Sequence, residues 1–129
     1  MNQIVNPKSV HKPLGAYSHT VRIPRDAELL MIAGQVGMNA KGQLQVGIRK
    51  QAEQAFRNVL ACLKEAGMRK QHLVKVTTFL TDPRHVDAYR AARKKIFGET
   101  TAPAATLLIV DGLASADMLI EVEAMAAKS

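Results

Sequence analysis

The chain has 129 residues, 47% hydrophobic and 22% charged, which suits one folded domain over 1–129 and excludes a disordered chain. No apolar run approaches the ~20 residues of a membrane-spanning helix, and Met1 to Lys8 is polar with no apolar signal core, so a cytoplasmic protein with no membrane partner is expected. Cys62 is alone, which excludes an internal disulfide, and the formal net charge of +7 leaves an anionic partner open.

Asn2 to Asn6 reads as a short extended start closed by Pro7, and His11 to Ala16 as a loop carrying Pro13 and Gly15. Tyr17 to Ile23 alternates, which predicts a strand with Tyr17, His19, Val21 and Ile23 on one side. Pro24-Arg25-Asp26 makes a turn. Leu29 to Val36 is mostly apolar and predicts a strand buried on both faces. Gly34 inside it marks a bulge or the close approach of a ligand or another backbone. Asn39 to Gly42 is a turn before a short extended Gln43 to Val46.

Gly47 to Ala66 is the clearest helix, with Ala52, Ala55, Phe56, Val59, Leu60, Leu63 and Ala66 on one stripe and Gly67 as the stop. Leu73 to Leu80 is a β-branched strand. Pro83 starts a second helix that runs to about Phe97 and ends at Gly98. Its basic residues Arg84, Arg90, Arg93, Lys94 and Lys95 read as a solvated face. Thr106 to Val110 and Met118 to Met125 are the last two strands, joined by the turn Asp111 to Asp117. This order predicts an α+β sandwich with both helices on one face of a sheet. The other face has no helix left to cover it, which predicts a homo-oligomer.

The four histidines, His11, His19, His72 and His85, show no paired metal-ligand spacing, so no metal is expected. No phosphate-binding glycine loop or G-x-S-x-G elbow is present, and no cofactor is expected. With 4% aromatic residues and no tryptophan there is little to stack bases on, so nucleic acid is an unlikely partner. Glu121 and Glu123 are two apart and share one strand face, opposite Ile120, Val122 and Ala124. They either form a solvated edge, pair with Lys75 on a neighbouring strand, or supply one acid that orients water in a subunit cleft.

Five stretches, in order and in register over nearly the whole chain, resemble the Rid (RidA or YjgF) family of imine deaminases. They are Leu14-Gly15-Ala16-Tyr17-Ser18-His19 (G-P-Y-S-x in the family), Ile32-Ala33-Gly34-Gln35 (S-G-Q), and Val74 to Asp82 (V-K-x-T-V-F-L-x-D). Ala102-Pro103-Ala104-Ala105-Thr106 stands where P-A-R-S/T is usual, and Ile120 to Ala126 matches I-E-I-E-A-I-A.

The resemblance implies a chorismate-mutase-like α+β fold and a homotrimer with three clefts between subunits. In deaminating members the P-A-R arginine holds the substrate carboxylate, the first glutamate helps position water, and the Tyr and Gly-Gln segments line the cleft. Tyr17, Gly34, Thr106 and Glu121 match, so Glu121 is the candidate for water positioning. Ala105 stands in place of the arginine, Ala16 in place of proline and Ala33 in place of serine. Alanine offers neither charge nor donor to a carboxylate. The resemblance therefore implies a small-molecule cleft protein acting on an enamine, imine or related nitrogen compound, rather than a standard 2-imino acid deaminase. A non-catalytic metabolite binder is the alternative, and endoribonuclease ranks last because the basic charge is its only support. Arg90, on the second helix, and His19, on the face of Tyr17, are the candidate contacts for a ligand anion.

Overall fold

Apolar spacings of 2 and 3.6 build two layers, a sheet and a pair of helices. The computed structural model describes all 129 residues, Met1–Ser129. Strands β1 (Gln3–Val5) and β2 (Thr20–Arg22) form a small antiparallel ribbon. Strands β3 (Glu28–Val36), β4 (Leu73–Leu80), β5 (Ala104–Ile109) and β6 (Ile120–Lys128) form a mixed sheet in the order β3-β6-β4-β5. β6 runs antiparallel to both β3 and β4, while β4 and β5 are parallel.

Helix α1 (Ile48–Glu65) joins β3 to β4, and α2 (Val86–Phe97) joins β4 to β5. Both connections link parallel strands and step across the sheet in the same direction. The strong preference for right-handed crossovers then puts both helices on one face, where one cluster of buried residues packs between them and the sheet. Phe56 lies at its centre, with ring centroids 4.9 Å from Phe97 and 6.0 Å from Tyr89. α1 ends in a Schellman motif: Met68 N–H donates to the Leu63 carbonyl and Gly67 N–H to that of Lys64. Gly67 turns the chain there at φ +71°. A short 3-10 turn, Pro83–His85, opens the second helical segment, and the Asp82 carboxylate accepts from the Arg84 N–H at 2.8 Å.

β6 shows how the sheet is divided. Ile120, Val122, Ala124 and Ala126 are buried against the helices, while Glu121, Glu123 and Met125 point to the other face. That face is uncovered in the single chain, as the lack of a third helix predicts. The reading of Leu29 to Val36 as buried on both faces is corrected: Ile32 is buried, but Leu29 is exposed and Met31 is 74% exposed. Alternate side chains of β3 point to the uncovered face of the sheet, so Leu29 and Met31 meet no partner within the chain. The predicted strand from Tyr17 to Ile23 is also shorter, Thr20–Arg22. Tyr17 and His19 lie before it, on either side of Ser18, which makes a single parallel bridge to Ala104 in place of a continuous ladder.

Candidate functional site

Two half-sites emerge, one on each side of the sheet. The first is a cavity of about 480 Å³ between α2, β5 and the loop before β2. Ala105 and Leu107 face it from β5, Tyr89, Arg90, Arg93 and Lys94 from α2, and Leu14 to Tyr17 from the loop. Buried Ser18 fixes that loop. Its N–H donates to the Pro103 carbonyl at 3.1 Å and its hydroxyl to the Ala102 carbonyl at 2.7 Å. These bonds bring Tyr17 to the start of β5. The Tyr17 hydroxyl accepts from the Leu14 N–H at 3.1 Å, which curls the loop over its own ring.

His19 is not part of the cavity wall. Its Nε2 is 2.6 Å from the His11 carbonyl, its backbone N–H donates to Asn6 Oδ1 at 2.7 Å, and its ring stands edge-on to Tyr17. The structure places it behind Tyr17, bracing the loop. Arg90 does lie on the wall and is exposed, with no ion pair or side-chain hydrogen bond.

The expectation of a solvated basic face holds for Arg84, Arg90, Lys94 and Lys95, which are exposed, and is corrected at Arg93. Arg84 pairs with Asp82 at 2.6 Å, Lys94 with Glu99 at 2.9 Å and Lys95 with Glu53 at 2.8 Å. Arg93 is buried, at 6% exposure. Its Nη2 donates to the Thr101 carbonyl at 3.1 Å and its guanidinium lies 5.9 Å from the Phe97 ring centroid. Burial lowers its pKa from the ordinary arginine value, with the Tyr89 hydroxyl acting in the opposite sense. A signal was available in the spacing: Tyr89, Arg93 and Phe97 are four apart, so Arg93 falls on the buried stripe.

The second half-site is on the uncovered face. Glu121 lies between Val36 of β3 and Phe79 of β4 in the strand register. A bulge in β3 sets Ala33 and Gly34 opposite the single residue Glu123. The Glu121 side chain lies directly over Gly34. A methyl group on residue 34 would overlap its carboxylate and come within 2.9 Å of its Cγ. Only glycine leaves that space empty. The half-buried Glu121 carboxylate accepts no hydrogen bond and forms no ion pair. Lys75 does not pair with either acid; its Nζ donates to Thr106 Oγ1 at 2.7 Å. Thr106 also borders the cavity, so it connects the two faces at the β5 edge.

One chain does not bring the candidate residues together. Tyr17, Arg90, Ala105 and Thr106 share the cavity. Gly34 and Glu121 share the open face, and β3 is three strand spacings from β5, roughly 14 Å. No group of three or more His, Cys, Asp or Glu residues is placed to hold a metal ion. Ser18, Tyr89 and Arg93 are the positions that sequence reasoning missed as parts of the site.

Residues 8–128 match the family model described as Endoribonuclease L-PSP. The chain is 32% identical to the RutC family protein PH0854 of Pyrococcus horikoshii, with 99% of each chain covered. A 2-iminobutanoate/2-iminopropanoate deaminase of Dermatophagoides farinae is 29% identical over 97 residues, 74% of this chain and 73% of that one. Among solved structures, the Rid-family protein YyfB of Yersinia pestis, of unknown function, superposes with a TM-score of 0.87 at 28% identity, covering 98% of each chain. With its fold, its motif register and these relatives in agreement, the chain belongs to the Rid (YjgF) family, the family described as Endoribonuclease L-PSP.

Proposed function

We propose that copies of this chain assemble so that the open face of one closes on the β5–α2 cavity of the next, forming small-molecule sites between them. The two surfaces differ, so the contact is head-to-tail, the kind that forms a ring where the rotation between copies closes. Three copies, the homotrimer that the family resemblance implies, give three sites. The exposed Leu29, Met31 and Leu108 support such an assembly.

In this site Glu121 acts on water. An enamine enters as its imine tautomer, a proton having moved from nitrogen to the β-carbon. The Glu121 carboxylate takes a proton from water as the water oxygen bonds to the imine carbon and passes it to the nitrogen; the carbinolamine then loses its hydroxyl proton to the nitrogen as the C–N bond breaks and the C=O bond forms. The products are a carbonyl compound and ammonia or an amine. Tyr17 and Thr106 border the space where the substrate lies. The observation that carries this reading is the unpaired Glu121 carboxylate over Gly34. Half-buried acids are normally paired, and this one is left free at a position where a side chain has been removed to admit it.

The deaminase name of the Dermatophagoides farinae relative supports the reaction class. Ala105 argues that the substrate is not gripped through a carboxylate at β5, because no donor stands there. The test is Glu121→Gln with imines and enamines as substrates. Turnover is expected to fall by about 10²–10⁴-fold while ligand affinity is kept. Turnover equal to wild type removes Glu121 from the reaction. A wild-type protein that binds a ligand in the cleft but hydrolyses none of these compounds is instead a metabolite binder.

A further inference from the structure

Arg93 is more than nine-tenths buried and borders the cavity, yet no carboxylate faces it. A guanidinium has five N–H donors. Here one group, Nη2, is bonded to the Thr101 carbonyl. Nε and Nη1 make no hydrogen bond and neither is a fully buried, unsatisfied atom, and Arg93 lines the cavity, so donors are left for a ligand there. The Phe97 ring offsets part of the buried charge. A buried cation without a counter-charge is otherwise costly, and the usual remedy is an anion with matching geometry.

The rest of the wall fits that need. Arg90 adds a second unpaired cation at the rim. The one acid on the wall, Glu99, is already neutralised by Lys94. Three cations against one acid leave the cavity with net positive charge. Beyond the cations, Ala105, Leu107 and Leu14 make the wall apolar, and Tyr89 lies beside Arg93.

We propose that Arg93, with Arg90 at the rim, holds the anionic end of the ligand from α2, and that the ligand is a small organic carboxylate whose apolar body lies against Ala105 and Leu107. The anion contact is thus moved from strand to helix, with the substrate's charged end turned toward α2. The inference rests on the cavity being half of the ligand site proposed above.

Butanoate and butanamide are matched probes, alike in shape and different in charge. Titrated into the ¹⁵N-labelled full chain, butanoate is expected to shift the Arg93 Nε–H signal and butanamide to leave it in place. Arg93→Met is expected to weaken butanoate binding by about tenfold or more, and Arg90→Ala by about threefold. Equal responses to the two probes, no response to butanoate, or wild-type butanoate affinity in Arg93→Met each overturn the proposal. The probe comparison and the guanidinium signal need no variant, so they decide the matter if Arg93→Met does not fold. Failure of the two readings is distinguishable. Butanoate binding without hydrolysis of any imine removes the hydrolase reading and leaves the anion site, whereas hydrolysis with no preference for butanoate removes the anion site alone.

Discussion

Glu53, in the helix layer, is a buried acid and Glu121, on the open sheet face, a half-buried one, and their surroundings treat them in opposite ways. Glu53 is buried on α1 and is met by Lys95 at 2.8 Å, Arg49 at 3.4 Å and Arg57 at 3.6 Å. Glu121 has no partner and sits over a glycine. Around Phe56 and Glu53 the helix layer is finished within one chain: the acid is paired and the aromatic rings interlock. The open face is unfinished, with a free acid and exposed apolar side chains. A surface left in that state is suited to a partner or a ligand rather than to folding.

Removing a core ring should break the finished side most strongly. Phe56→Ala is expected to lower stability by about 3–5 kcal/mol, because its ring contacts Phe97 and Tyr89 between two helices. A denaturant midpoint near that of the wild type would show that this layer is less tightly packed than its burial indicates.

Gly34→Val acts on the open face. The new side chain is forced into the space of Glu121. Stability should fall by about 1–3 kcal/mol through overpacking, and turnover by about 10²-fold through misplacement of the acid. Unchanged kinetics would mean that the position of Glu121 is irrelevant to activity.

Glu53→Gln sharpens the contrast between the two acids. The pKa of Glu53 is lowered, first by the hydrogen bond from Lys95. A carboxyl with a depressed folded pKa stabilises the fold above its unfolded value of about 4.3. That contribution disappears as the pH falls through the lower, folded value. The wild type should therefore exceed Glu53→Gln by about 1 kcal/mol at pH 7, a figure kept small because the cations are more than half exposed. The two should converge once the pH has fallen below the folded pKa. A gap that persists at low pH would assign the effect to packing instead of charge.

Met31→Glu should have the smallest effect on the chain itself, within about 0.5 kcal/mol, since Met31 is largely exposed. Its effect should fall on assembly, with the mass in light scattering dropping toward that of one chain. A mass unchanged from wild type would exclude this part of the open face from the interface.

Much of the fold was legible because its signals are local. The stripe from Ala52 to Leu63 placed α1, and Gly67 placed its end. The alternation in β6 separated Glu121 and Glu123 from the residues of the core. The motif register also carried the family, since five short stretches in order can be checked without any contact information. The site was legible only in part. Tyr17, Thr106 and Ala105 border one cavity, while Gly34 and Glu121 lie on the opposite face. His19 shares a segment with Tyr17, yet its ring is tied to the His11 carbonyl, a bond to a residue whose place the alternation could not give.

By itself, the sequence determined the order of elements and the inward faces of α1 and β6, which follow from backbone period. The family resemblance marked Ala105 as the place where an arginine is usual. The tertiary structure alone decided which basic residue of α2 is buried, that Ser18 ties the Tyr17 loop to the residues leading into β5, and that the two half-sites of one chain face apart. The physical reason is that burial and pairing depend on what packs opposite a residue, and those partners lie far away in the chain. Arg93 reads as one of several surface cations until α2 is laid between β5 and Phe56; after that it is a buried charge facing an empty cavity.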